Sequence, residues 1–177
     1  MTDSIQREQI VAAVRSATED VFSTMLNLPL AAEDPRAESA EPRSFDGVVA
    51  LVGVAGSWTG SGRISCTARF ACQLAGALLM SSYEAVNEDV LDAVAEVANM
   101  IIGNVKTVFE ERLGPLGLSV PTVIFGRNYQ TRSAGGQDWM VVPFRSGEEQ
   151  VEVRFCLMPT RTHPHLAGIG APQPAPV

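Results

Sequence analysis

The residues best suited to chemistry are concentrated in residues 92–104, which read DAVAEVANMIIGN. The segment is strongly helical in character, yet an asparagine and a glycine lie in its middle. Glycine weakens a helix interior by about 1 kcal/mol relative to alanine, so helix stability does not explain why these residues are present. At 100° per residue, four positions of interest share one face of the helix: Asp92, Glu96, Asn99 and Gly103.

A carboxylate such as Glu96 and an amide such as Asn99 have no nucleophile, metal cage or phosphate cradle of their own. Any reaction in which they take part must therefore borrow those groups from another molecule. Most polar stripes opposite an apolar helix face are only solvated, and periodicity alone favours that interpretation. The glycine favours contact with another molecule, because a residue without a side chain lets that molecule approach the helix closely.

One long helix, predicted over residues 88–113, must carry these side chains. Asn87 is a suitable N-cap with two acidic residues in the first turn, and Gly114 followed by proline supplies the stop. About 26 residues at 1.5 Å each give a helix of roughly 39 Å. The apolar stripe expected to face a sheet comprises Leu91, Val94, Ala98, Ile101, Ile102, Val105 and Phe109. The opposite stripe, expected to be exposed, adds Lys106 and Glu110 to the four positions above.

The rest of the chain predicts a mixture of helices and strands. An amphipathic helix over residues 4–26 has its apolar positions at Ile10, Val14, Ala17, Val21 and Met25. A shorter apolar helix covers 71–82. Strand-like runs occupy 44–56, 58–70, 118–126, 138–146 and 149–158, the first two forming a hairpin. Residues 31–43 and 127–137 lack periodicity and are expected to be exposed connections. The predicted class is α+β, with a mainly antiparallel sheet covered by long helices.

The bulk composition favours one domain and argues against nucleic acid. A chain of 177 residues with 46% hydrophobic content can bury one substantial core. We assign residues 1–158 to this domain and 159–177 to a Pro-rich, flexible tail. A formal charge of -7 argues against general affinity for nucleic acid, because binding phosphate backbones needs clustered Lys and Arg. No apolar segment fits a secretory signal or approaches the roughly 18 residues of a membrane span, so a cytoplasmic location is expected.

Residues that often hold metals or ligands give little sign of doing so here. Cys66, Cys72 and Cys156 contain no C-x-x-C pair and are expected to be buried, reduced thiols. The two histidines of RTHPHLAG have no further ligands at metal-binding spacing. A small-molecule-binding domain has no support beyond Trp58, Trp139 and the glycine-rich turns, and aromatic rings in such places more often pack in the core or at its rim.

The spacing of the polar residues along the sequence of the long helix matches the motif of a known family. The spacing Asp92-x3-Glu96-x2-Asn99, followed 22 residues later by Pro121, resembles the signature of the CheC/CheX/FliY family of chemotaxis phosphatases. The stretch ATEDVFSTMLNLPL is similar to the opening helix of CheX-like proteins. The resemblance extends over about residues 5–158.

The chain resembles CheX more than CheC, because only one copy of the Glu/Asn pair is intact. The first helix reads Ser16-x3-Asp20-x2-Ser23, in which aspartate replaces the glutamate and serine replaces the amide. We expect this second copy to be inactive.

The resemblance implies removal of phosphate from the aspartyl phosphate of a response-regulator receiver domain such as CheY. It implies that Glu96 contacts the receiver's active-site lysine, that Asn99 orients the attacking water, and that Asp92 and Gly103 bind the partner. Pro121 is expected to be structural. The chain would need no cofactor of its own, since Mg²⁺ is expected in the receiver. The resemblance to CheX also implies a homodimer, formed through the sheets.

A second class of function stays open. The same helix could be a non-catalytic docking module for a receiver domain or a motor-switch-like protein. Binding without faster loss of phosphate would distinguish this module from a phosphatase.

Overall fold

The computed structural model describes residues 5–39, 43–131 and 138–160. Within these ranges, three helices pack against one face of an eight-stranded sheet. The helical elements are α1 Arg7–Val21, a π-helical turn Phe22–Leu26 (the π-turn), α2 Ala68–Leu79 and α3 Glu88–Leu113. The strands are β1 Ala31–Ala32, β2 Arg36–Ser39, β3 Arg43–Gly56, β4 Trp58–Cys66, β5 Leu116–Leu118, β6 Thr122–Thr131, β7 Asp138–Ser146 and β8 Glu149–Pro159.

The described strands all pair antiparallel. The sheet has the order β1-β7-β8-β4-β3-β5, with β2 also pairing with β7 and β6 also pairing with β3. The predicted β3–β4 hairpin is present, and its register runs from Val48 opposite Cys66 to Val54 opposite Gly60. These features confirm the α+β class with a mainly antiparallel sheet.

Helix α3 has the predicted bounds and the predicted ends. The Asn87 side chain accepts a hydrogen bond from the Val90 backbone N–H at 3.0 Å, which caps the first turn. Gly114 follows the last turn with φ of 77°, a conformation that favours glycine. The buried residues of α3 are Val90, Ala93, Val94, Val97, Ala98, Ile101, Ile102, Val105, Phe109 and Leu113. Leu91, expected in this stripe, is only partly buried because the buried arc is centred nearer Val94 and Ile101.

Close contact between α3 and β4 fixes the height of the helix above the sheet. A Cβ atom built on Gly62 would overlap Cδ1 and Cγ1 of Ile102, and even Cγ2 would lie only 2.9 Å away. Ile102 is fully buried. The absence of a side chain at Gly62 therefore lets α3 lie directly on β4.

The first helix differs from its prediction at its C-terminal end. Met25 was expected in the apolar stripe, but its side chain is 52% exposed, while Phe22 and Leu26 are buried. The π-turn explains the difference, since the Asn27 N–H donates to the Phe22 carbonyl five residues earlier. This wider turn breaks the four-residue step that would have placed Met25 below Val21.

The predicted exposed connection over 31–43 is wrong in part, because it contains two short strands. Ala31–Ala32 and Arg36–Ser39 pair with β7 at the edge of the sheet. Arg36 also donates to Glu38 at 2.6 Å and pairs with Glu152 of β8. These strands form because the backbone of β7 pairs with them. A local sequence pattern does not show a pairing with a strand that is distant in the chain.

Two further boundaries differ from the prediction. The single strand expected over 118–126 is divided into β5 and β6, and residues 127–131 of the expected loop continue β6. Helix α2 begins and ends three residues earlier than predicted, since Thr67 caps it by accepting from the Phe70 N–H at 3.1 Å. Residues 132–137 of the expected loop lie outside the described residues.

The three cysteines are free and buried, as predicted. Burial raises the pKa of the Cys66 thiol to about 12 and that of Cys156 to about 11. The two histidines and the tail after residue 160 lie outside the described residues, so the division at residues 158 and 159 stays a prediction.

The contact between Gly62 and Ile102 gives a stability prediction. Gly62→Ala should lower the free energy of unfolding by about 1–3 kcal/mol, because the new methyl group forces Ile102 out of its site. Urea unfolding measures this change. Gly117→Ala in β5 is the matched control, since its Cβ would meet only the Ala55 carbonyl oxygen at 3.7 Å. Equal stability of the two variants would show that α3 does not depend on the missing side chain.

Candidate functional site

Four positions on α3 form an accessible surface, which we call the polar face: Asp92, Glu96, Asn99 and Gly103. The side chains of Asp92 and Glu96 are exposed, as predicted, whereas Asn99 and Gly103 are partly buried rather than fully exposed. With the described part of the chain, Asp92, Glu96 and Asn99 make no side-chain hydrogen bond or ion pair. The carboxylates and the amide are thus available to another molecule.

The continuation of this stripe has a structural role instead. Lys106 pairs with Glu110 at 2.7 Å, and Glu110 accepts a hydrogen bond from the Leu116 N–H at 2.8 Å. The hydrogen bond from Lys106, followed by that from Leu116, lowers the pKa of Glu110. These contacts attach β5 to the C-terminal half of α3. The sequence pattern placed Lys106 and Glu110 on the right stripe, but their i,i+4 spacing was the sole signal that they serve each other.

Gly103 is not required by packing within the described chain. A Cβ atom at this position would meet just one atom within 4 Å, Cδ1 of Leu118 at 3.7 Å, which is an ordinary van der Waals distance. The Thr107 hydroxyl donates to the Gly103 carbonyl at 2.9 Å, and any residue could accept that bond. Because Gly103 has no side chain, nothing projects from the outer surface of α3 at this position, one helical turn from Asn99.

The second, degenerate copy of the motif lies on α1 and the π-turn. Ser16, Asp20 and Ser23 are all exposed. The Ser23 hydroxyl donates to the Asp20 backbone carbonyl at 3.2 Å, so it is already engaged with its own helix. This copy presents no amide at the position that corresponds to Asn99.

Other kinds of site find little support. Among the residues that the structure describes, no group of three His, Cys, Asp or Glu side chains could hold a metal ion. None of the described helices is both long and apolar enough to span a membrane. Trp139 is buried with Val141 and Cys156, and Trp58 packs against the main core, so both rings serve packing. A mostly apolar groove of about 820 Å³ lies between α2 and residues 81–86, but no residue of the polar face lines it.

The geometry of the polar face limits what it can do chemically. It is an open surface on a rigid helix, with a carboxylate and an amide three residues apart. Such a pair can bind a cation and orient a water molecule, but no base hydrogen-bonded to it and no metal group accompanies it among the described residues. The reacting group must arrive on a partner.

These features together define a class of protein: an antiparallel sheet carrying a long helix with one intact Glu/Asn pair. The family model described as chemotaxis phosphatase CheX matches residues 48–145, more than half of the chain, and the chain belongs to this family. The resemblance found in the sequence is thereby confirmed. A search of curated proteins finds no match.

Solved structures support the same assignment. The chain is 27% identical to the chemotaxis protein CheX from Desulfovibrio desulfuricans, with a TM-score of 0.76 over 85% of this chain and 99% of that one. It is 25% identical to a chain of the CheX-CheY-BeF3-Mg²⁺ complex from Borrelia burgdorferi, with a TM-score of 0.70 over 84% and 97% of the two chains. FliY from Thermotoga maritima shares the fold, at 17% identity and a TM-score of 0.58 over 87% and 91%.

The free surface at Gly103 gives a second stability prediction. Gly103→Ala should raise the free energy of unfolding by up to about 1 kcal/mol, because alanine favours the helix and its methyl group fits beside Leu118. Gly76→Ala in α2 is the matched control. Its Cβ would lie 2.8 Å from the Ser81 carbonyl oxygen, so it should destabilise the protein. Loss of stability in Gly103→Ala comparable with that of the control would mean that the glycine serves the fold.

Proposed function

We propose that this protein hydrolyses the aspartyl phosphate of a response-regulator receiver domain. The observation that supports the proposal most is the unpaired Glu96 and Asn99 on one accessible face of α3, within a chain of the CheX family. The partner is supported by the related complex from Borrelia burgdorferi, which contains CheX together with CheY, BeF3 and Mg²⁺. The receiver supplies the phosphoryl group, Mg²⁺ and a lysine, which are the groups that the polar face lacks.

Glu96 fixes the register of the two proteins. Its carboxylate is exposed and has no partner within the described chain, so it can pair with the active-site lysine of the receiver. An ion pair formed at an interface loses water from both groups, and loss of one partner then leaves a charge unpaired. Glu96 therefore contributes chiefly to binding and orientation.

Asn99 positions the attacking water beside the phosphoryl group. Its amide offers both a donor and an acceptor and stays neutral next to an anionic phosphate, whereas a carboxylate would repel it. Holding the water in line with the bond that breaks removes an entropic part of the barrier. The partial burial of Asn99 suits this task, because a side chain held by its neighbours orients water better than a freely rotating one.

Asp92 and Gly103 extend the contact on either side of this pair. Asp92 lies two turns before Asn99 and carries an exposed carboxylate, and Gly103 leaves room for the partner's backbone. The cytoplasmic location and the Mg²⁺ in the receiver stay predictions.

Two substitutions on the polar face test the proposal. Asn99→Ala should slow phosphate loss by about 100-fold or more while binding is largely retained, because the water is no longer aligned. Glu96→Ala should weaken both binding and turnover, with the half-saturating receiver concentration raised about tenfold or more. The measurement is the decay of a phosphorylated, Mg²⁺-loaded receiver domain from the same organism.

Matched controls are available on the same helix. Asn104 and Glu111 are exposed residues of α3 outside the polar face. Asn104→Ala and Glu111→Ala should leave turnover unchanged. Normal turnover by Asn99→Ala and Glu96→Ala would sink the phosphatase proposal, and tight binding by the wild type without any acceleration would favour the docking module.

We also propose that the protein is a homodimer. Among the described strands, β6 pairs with β3 alone, which leaves one edge of a ten-residue strand without a backbone partner. An unpaired edge of this length is a template for pairing with another chain. Light scattering after gel filtration should give twice the chain mass of 18.9 kDa. A mass of one chain across micromolar concentrations would contradict the dimer.

A further inference from the structure

The segment between β5 and β6 contains a bulge that directly follows Leu118, the residue that flanks Gly103 of the polar face. Leu118 lies opposite Val54, and Thr122 lies opposite Leu51. Three residues, 119–121, therefore stand opposite two residues of β3, 52 and 53. Such an extra residue re-aims a side chain, and bulges of this kind often occur beside functional sites. The residue in the middle of the bulge is Val120.

Hydrogen bonds hold this bulge in place. The Ser119 N–H donates to the Gly53 carbonyl at 2.9 Å, and the Gly53 N–H donates to the Ser119 hydroxyl oxygen at 2.8 Å. The Ser119 hydroxyl donates in turn to the Val120 carbonyl at 3.0 Å. Pro121 follows, and its fixed φ stiffens the exit from the bulge. These hydrogen bonds restrain the backbone at Val120, yet its side chain is 85% exposed.

The path of β5 leads towards Asn99. Leu116 is bonded to Glu110, and Leu118 lies beside Gly103, so the strand runs antiparallel to α3 along its outer flank. Two further residues advance the chain by up to about 7 Å. Asn99 lies four residues before Gly103, about 6 Å along the helix axis. The bulge therefore continues in the direction of Asn99.

We propose that Val120 is an apolar contact for the same receiver domain that Glu96 and Asn99 engage, beside the phosphorylated aspartate. This inference rests on the proposed function. A polar face alone gives register but little hydrophobic contact, since its side chains are charged or amide groups. Val120 adds apolar contact area to the side of the polar face that Leu118 flanks. It acts as a specificity-determining residue, because it fits a receiver with an apolar patch at that position.

The test compares two serine substitutions of exposed valines. In Val120→Ser, the half-saturating concentration of the phosphorylated receiver should rise about tenfold, the factor that corresponds to 1.4 kcal/mol. The maximal rate should stay within about twofold, because the contact serves ground state and transition state alike. Val108→Ser is the matched control, since Val108 is 56% exposed on α3 but outside the polar face. Val120→Leu, which keeps an apolar side chain, should have the half-saturating concentration of the wild type.

The outcomes separate this inference from the proposed function. Unchanged saturation in Val120→Ser, with an active wild type, would overturn the role of Val120 and leave the phosphatase intact. An equal rise in Val108→Ser would also overturn it. A wild type that neither binds nor accelerates any receiver of the organism would overturn both proposals. Thermal unfolding of each variant verifies that the fold is retained.

Discussion

The packing of α3 on the sheet is the constraint on which the rest of the molecule depends. The arc of α3 centred near Val94 and Ile101 is buried, and the missing side chain of Gly62 lets Ile102 rest directly on β4. A helix held so close to the sheet cannot rotate without exposing this arc, so its opposite side is fixed in direction. The same packing that stabilises the core therefore aims Glu96 and Asn99 outward at a constant orientation.

The outer side of α3 is divided between two tasks. Its C-terminal half holds the chain that follows, because Lys106 and Glu110 fasten the start of β5. Its N-terminal half is left without partners in the described chain and lies open to another protein. This division fits a mechanism in which the chain contributes few groups of its own. In the proposed mechanism, the chain positions one amide and one carboxylate, and the receiver brings the phosphoryl group, the metal ion and the lysine.

The sequence predicted α3 and its ends because the signals are local: an Asn N-cap, a helical apolar period and a terminal glycine. It predicted the family because the signature is a set of spacings that can be counted along the chain, from Asp92, Glu96 and Asn99 on one helix to Pro121 beyond it. It missed β1 and β2, since edge pairing depends on β7, which lies about 100 residues further along the chain. It placed Met25 in the core because nothing in the pattern of α1 announces the π-turn. The bulge at 119–121 was hidden for a similar reason, as it exists only in the register between β3 and its two neighbours.

The most direct test of the central claim is the rate of phosphate loss from the Mg²⁺-loaded receiver domains of the same organism, each with and without the wild-type protein. The proposed mechanism predicts that at least one receiver loses phosphate faster, and that the added rate saturates as its concentration rises. No acceleration of any receiver, at concentrations where binding is measurable, would contradict the claim that the polar face of α3 catalyses hydrolysis.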